Sequence, residues 1–272
     1  MMAEIRTAEG AVYQVEGALA RGDFADLYRG RGAQGAAVLK IARERADNDL
    51  LLNEARVLRK LWAQPARQQK HLPALWDAFT TAEGHAGLAL SRVEGAWDLH
   101  QVKARHPAGL PLEHLVWIME RSLSVLGYAH SQGVLHANVE PAHLLVRPQD
   151  HNVILLDWSC AVVEPARTGE GFRYLNEGWS APEVSRRQPP LPAADLYALG
   201  RVMIWLAGGD VEARTLPEGV DERLVRLLRF CTLASPLQRA QDAWELYTQL
   251  RALREALFGG RRFRRLSMDF ER

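Results

Sequence analysis

At 272 residues the chain has room for two small lobes or one large domain. It is 47% hydrophobic and 25% charged, an ordinary globular balance, and its net charge of +1 gives no general pull toward nucleic acid or membrane surfaces. Two cysteines, Cys160 and Cys231, are too few for a disulfide framework, no apolar run reaches the roughly 18–20 residues that span a bilayer, and the first residues lack a signal-peptide core. A cytoplasmic protein is expected, and the heavy use of Ala, Leu and Arg fits a GC-rich bacterial genome.

Residues 11–42 suit short strands. Ala11-Val-Tyr-Gln-Val15 and Asp26-Leu-Tyr-Arg29 flank a turn-rich stretch, and Gly35-Ala-Ala-Val-Leu-Lys-Ile41 follows. Asp47-Asn-Asp49 offers N-caps for a helix running to about Trp62. Helical spacing puts Leu51, Glu54, Leu58 and Leu61 on one face. A single acid on such a face needs a buried cation, and Lys40 is the candidate. Pro65 to Pro73 reads as a connection, with strands at Leu75–Phe79 and Leu88–Val93. Beyond Glu94-Gly95 the pattern is helical, with Leu115, Ile118, Met119, Leu123 and Leu126 recurring until Ser131-Gln-Gly133. Two apolar segments, Leu144–Val146 and Val153–Leu156, are split by the turn chemistry of Pro148-Gln-Asp-His-Asn152. From Asp195 onward the chain is mainly helical, broken at Gly208-Gly209 and Pro217. Strands plus one helix, then helices, is an α+β order. Arg261-Arg-Phe-Arg-Arg265 is a basic tail expected to be mobile.

Several landmarks fall in one order: Ala37-Val-Leu-Lys40; Glu54; His136-Ala-Asn-Val-Glu-Pro-Ala-His143; Asp157-Trp-Ser159; Ala181-Pro-Glu183; Asp195-Leu-Tyr-Ala-Leu-Gly200; and Pro236-Leu-Gln-Arg239. Together, across roughly residues 10–255, they resemble the protein-kinase superfamily, whose catalytic loop reads His-Arg-Asp-x-Lys-Pro-x-Asn and whose metal triplet reads Asp-Phe-Gly. The resemblance implies a bilobal fold: a β-rich N-lobe at 10–93 with one helix, a helical C-lobe at 94–258, and the tail at 259–272. A hinge would lie near Ser91-Arg-Val93. Gly22, Lys40, Glu54, Leu90, Leu145 and Asp157 would stand at the nucleotide pocket, Asp157 also holding one Mg²⁺. Lys40 and Glu54 resemble the pair that positions the α- and β-phosphates.

The same comparison exposes departures. Asn138 replaces the acid that accepts the substrate proton, and loss of a general base typically costs on the order of 10²–10⁴ in rate. Glu140 replaces a phosphate-neutralising Lys, inverting its charge. His143 replaces the Asn that binds the second metal; a structural histidine is the favoured reading, since imidazole suits zinc better than magnesium. His136 reads as a core strut. Ala20-Arg-Gly-Asp-Phe-Ala25 keeps one glycine of the phosphate loop, so a plain hairpin is favoured over a phosphate cradle. Val38 narrows the adenine side, and Trp158 and Ser159 replace Phe and Gly. Cys160 to Ser180 stands for the activation segment, with Thr168, Tyr174 and Ser180 as its hydroxyls. Arg264-Arg-Leu-Ser267 resembles a basophilic kinase site, though a plain basic tail is favoured. The expected function is a pseudokinase without competent phosphotransfer, with no required cofactor. It would bind another protein, such as a kinase, phosphatase or signalling effector, as scaffold or allosteric regulator. The alternatives are a switch that binds ATP with Mg²⁺, and an atypical ATP-dependent transferase.

Overall fold

The computed structural model describes residues 4–7, 10–260 and 262–268. The chain divides into two compact units. The first comprises the chain to Gln69, Pro73–Glu94 and the short stretch Trp158–Cys160; the second comprises Lys70–Leu72, Gly95–Asp157 and the chain from Ala161.

The first unit is a six-stranded antiparallel sheet with one helix. Its strands are β1 (Glu4–Arg6), β2 (Val12–Arg21), β3 (Ala25–Gly32), β4 (Gly35–Ala42), β5 (Leu75–Thr80) and β6 (Ala86–Ser91), in the order β1-β2-β3-β4-β6-β5. Two register shifts in β2 opposite β3 bend that edge. Helix α1 (Asn48–Trp62) lies over β4, β5 and β6. Its face carries Leu51, Glu54, Leu58 and Leu61, all fully buried, as the spacing requires. The expected N-cap works differently: the Asp47 side chain makes no capping bond, and Asn48 ties the helix start to the β5–β6 turn. Its Oδ1 accepts from the Ala86 amide (2.7 Å) and its Nδ2 donates to the Gly84 carbonyl (2.9 Å).

The second unit begins with β7 (Trp97–Asp98), α2 (Leu99–Arg105), α3 (Leu112–Ser131), β8 (Val134–Leu135), β9 (Leu144–Arg147) and β10 (Asn152–Leu155). It continues with β11 (Val162–Val163), α4 (Pro165–Thr168), α5 (Pro182–Ser185), α6 (Pro192–Leu206), α7 (Glu222–Cys231) and α8 (Ala243–Phe258). Helices α3 and α6 are buried nearly all round, which makes them the core of the unit. Helix α8 crosses α3 closely because Gly127 has no side chain; a Cβ there would sit 2.7 Å from the Trp244 ring. Strands β9 and β10 form the hairpin expected around residues 148–152, and β7 adds to β9. Helix α6 stops at Gly208, whose positive φ (+85°) and approach to the Ala108 carbonyl exclude a side chain.

Of the expected tail, Arg261 and residues 269–272 lie outside the described residues; within 262–268 the chain is anchored at Leu266 and by three polar contacts. Leu266 is 1% exposed. Arg264 pairs with Glu113 (2.9 Å), and its carbonyl accepts from His151 Nε2. His106 Nε2 donates to the Ser267 carbonyl at 3.0 Å. The His151 ring stacks flat on Trp117 (4.3 Å, 6°) and meets Phe263 at 4.4 Å. Between the tail, α3 and α8 lies a cavity of about 260 Å³.

Candidate functional site

In the first unit Lys40 sits on central β4 and Glu54 on the covering helix. Lys40 Nζ donates to Glu54 Oε2 at 2.7 Å with both side chains buried. The other oxygen, Oε1, accepts from the Trp158 amide (3.2 Å), and Asn53 Nδ2 donates to the Ser159 carbonyl (2.9 Å). The stretch after Asp157 is thus held on α1 by two side chains. Val38 and Leu90 are direct partners across β4 and β6. Gly22 closes a tight hairpin by donating to the Ala25 carbonyl (2.9 Å). The Arg43 guanidinium reaches the carbonyls of Gly22 (3.4 Å) and Asp23 (3.3 Å), so the turn presents backbone oxygens already engaged by a cation.

In the second unit the loop after β8 is built around Asp195, near the start of α6. Its carboxylate accepts from the amides of His136 and Ala137 (2.8 Å each) and from His130 Nε2 (2.9 Å). Burial pushes the Asp195 carboxyl up, but these bonds and the nearby histidines outweigh it and hold it below the usual range. The carboxylate also fixes Ala137 at φ 61°, a left-handed backbone that alanine rarely adopts. His136 is fully buried; its Nδ1 accepts from the Asn138 amide (3.2 Å) and its Nε2 donates to the Leu156 carbonyl (2.8 Å). Burial keeps this ring neutral, with its pKa pushed down to about 4. His136 is the expected core strut.

Asn138 is 8% exposed, and its buried Oδ1 meets no donor among the described residues. The cavity beside it, walled by Phe172, Asn176, Trp179 and Ser180, is only about 10 Å³. Glu140 Oε2 accepts from Asn176 Nδ2 (2.8 Å), and Glu140 Oε1 lies 3.2 Å from His143 Nε2. The same nitrogen lies 3.4 Å from Asp157 Oδ2, and His143 Nδ1 lies 2.9 Å from the Asn138 carbonyl. Asp157 itself holds a left-handed φ of 57°. Leu145 sits on β9 between Asp98 and Ile154. Among the described residues no cluster of three or more His, Cys, Asp or Glu side chains is arranged to hold a metal ion.

Further along, Phe172 packs against Leu135, Ala137 and Val162 and against Ala181, Val184, Ala194 and Tyr197, fixing the middle of the 160–180 stretch. Glu183 and Arg239 form a two-pronged ion pair (2.7 and 2.9 Å), and both are buried. The guanidinium also donates to the carbonyls of Leu233, Ala193 and Ala234 and lies 4.7 Å from the Tyr197 ring centre.

Beside the buried Lys–Glu pair, the loop hung on a buried Asp and the Arg that locks Ala-Pro-Glu, the sequence over residues 13–247 matches the protein kinase domain family. The chain belongs to that family. It is similar to the serine/threonine-protein kinase PkaB of Streptomyces coelicolor, 28% identical over 92% of this chain and 65% of that one. It is also similar to serine/threonine-protein kinase pkn3 of Myxococcus xanthus (29%, 72% of this chain, 38% of that one). A third relative is serine/threonine-protein kinase D of Synechocystis (21%, 89% of this chain, 52% of that one). The chain therefore spans between about two fifths and just under two thirds of these relatives. Among the described residues, no helix is long and apolar enough to cross a membrane.

The structure brings Lys40 to Glu54, and His143 to Glu140 and Asp157. Sequence reasoning missed Asn176, Asn53 and the Trp117–His151–Phe263 stack. Nothing local marks the first two. The aromatic stack had a faint signal in the lone Phe263 and Leu266 of an otherwise basic run.

Proposed function

We propose that this kinase-family chain is a pseudokinase that acts by binding another protein, as scaffold or allosteric regulator. One observation carries the reading. The position of the catalytic base holds Asn138, an amide that cannot accept a proton near neutral pH, and it is nearly closed off beneath the 172–180 stretch. Glu140 adds a negative charge where the family neutralises phosphate. Two like charges at about 4 Å repel by about 4 kcal/mol at an effective dielectric of about 20. The partner class is a signalling protein: a kinase, a phosphatase or an effector.

The test is label transfer from γ-labelled ATP, with Mg²⁺ or Mn²⁺, to the chain itself and to a general protein substrate. Transfer no higher than in Asp157→Ala is expected, and Asn138→Asp with Glu140→Lys should not restore it. Asp157-dependent labelling by the wild-type chain would refute the reading.

A second reading, a nucleotide-responsive switch, is favoured by the Lys40–Glu54 pair, since in this family such a pair holds the nucleotide phosphates. Under it, ATP at a hundredfold excess over its Kd stabilises the chain by about 2.7 kcal/mol. An unchanged melting temperature at millimolar ATP would exclude it.

A further inference from the structure

We infer that the cavity between the tail, α3 and α8 is a binding site for a small aromatic acid: a flat ring system bearing one anionic group. Its size, its aromatic wall and its surplus of cations carry this. The site is separate from the proposed function, because none of the residues assigned to the nucleotide pocket lines the cavity.

The cavity holds about 260 Å³. An apolar cavity of about 150 Å³ is enough to take up benzene, so there is room here for one or two fused rings and a charged group. Three rings stand in series along the wall. Trp117 and His151 are stacked flat (4.3 Å, 6°), and Phe263 meets His151 at 4.4 Å and 32°. Trp117 is 7% exposed, whereas Phe263 is 61% exposed. An aromatic side chain left open at the edge of a stack is a face that another flat ring can cover.

The charges fix the sign of the ligand. Every acid that lines the cavity has its own arginine. Glu113 pairs with Arg264 (2.9 Å), Glu120 with Arg254 (3.2 Å) and Asp150 with Arg147 (2.6 Å). Arg121 on α3 and Arg262 on the tail also line the cavity, and neither meets a carboxylate among the described residues. Burial, and then the neighbouring His151, pushes the His114 ring down to about 4, and burial lowers His151 as well. Near neutral pH both rings are therefore uncharged, and the surplus consists of guanidiniums, whose planar forks match a carboxylate. Arg121 is partly buried, so water screens its charge less than it screens the exposed Arg262.

The test is isothermal titration calorimetry of the whole chain with 2-naphthoate. The two control ligands are naphthalene-2-carboxamide, which keeps the rings and lacks the charge, and cyclohexanecarboxylate, which keeps the charge and lacks the flat ring. One molecule of 2-naphthoate is expected to bind with a Kd of about 1 mM or tighter. Each control should bind at least about tenfold more weakly, as should 2-naphthoate to Arg121→Met and to Phe263→Ala. No binding of 2-naphthoate at millimolar concentration would overturn the inference. So would equal binding of either control, or an affinity unchanged in both variants. The control ligands are read on the wild-type chain, so they decide the matter even where a variant folds poorly.

Discussion

Removing the Glu183 carboxylate isolates a deeply buried charge, the Arg239 guanidinium. Arg239 is 2% exposed and makes a two-pronged contact with Glu183 at 2.7 and 2.9 Å. In Glu183→Ala the guanidinium keeps three backbone carbonyls and the Tyr197 face but loses the carboxylate that balances its charge. Breaking a buried pair from one side costs about 3–5 kcal/mol, because the remaining charge stays desolvated. For a unit of this size that lowers Tm by about 6–20 °C. Arg239→Met alone strands the carboxylate in the same way. The double variant Glu183→Ala/Arg239→Met strands neither, so it should be clearly more stable than the sum of the two single losses requires. Urea unfolding followed by tryptophan fluorescence measures all three. A Glu183→Ala loss under about 1 kcal/mol, or strict additivity in the cycle, would refute the claim that the pair is an interdependent buried unit.

Lys40→Met should cost about 3 kcal/mol by stranding Glu54, and Lys40→Met/Glu54→Gln should recover a large part of it, read by the same unfolding cycle. Acid should destabilise the fold between about pH 6.5 and 4. The His136 pKa is pushed down to about 4 in the fold, so over that window the unfolded chain binds the extra proton. Its contribution is whole above pH 6.5 and falls by roughly 3 kcal/mol by pH 4, and His136→Asn should flatten the slope of urea midpoint against pH. Leu266→Asp should release the tail. Limited proteolysis after Gly260 should speed up, and Trp117 emission should shift red while α3 stays folded; unchanged cleavage would mean the tail packing is not held by Leu266.

What the sequence disclosed depended on repeated or chemically singular signals. The Leu51–Leu61 stripe specified the buried face of α1, and one acid in that stripe was enough to require Lys40. The turn at 148–152 and the order of the family landmarks were equally legible. Contacts made by single side chains over long separations were not. Asn48 looked like a cap because its neighbours are cap formers, and only the nearby β5–β6 turn redirects it. The tail looked mobile because five residues in a row are basic or aromatic, and the buried site of Leu266 is formed by residues distant in sequence. His143 was read as structural, and no spacing rule places its ring between Glu140 and Asp157, since Asp157 arrives from the end of β10.

The pattern of what is kept and what is changed in this kinase domain follows from burial. Lys40, Glu54, Glu183, Asp195 and Arg239 are each 5% exposed or less, and every one balances another buried group. Changing one strands its partner at several kcal/mol, a large part of the total stability of about 5–15 kcal/mol. Glu140, His143 and Asp157 sit at the margin, with side chains 14–25% exposed. There water softens a charge of either sign, so position 140 can carry Glu where the family carries Lys at little cost in stability. Asn138 is the instructive exception. It is buried, yet an amide in place of a carboxylate leaves no stranded charge, only an unmet oxygen worth about 1–3 kcal/mol. Under the pseudokinase reading, an amide at position 138 therefore costs the architecture far less than the loss of Asp195 or Arg239 would.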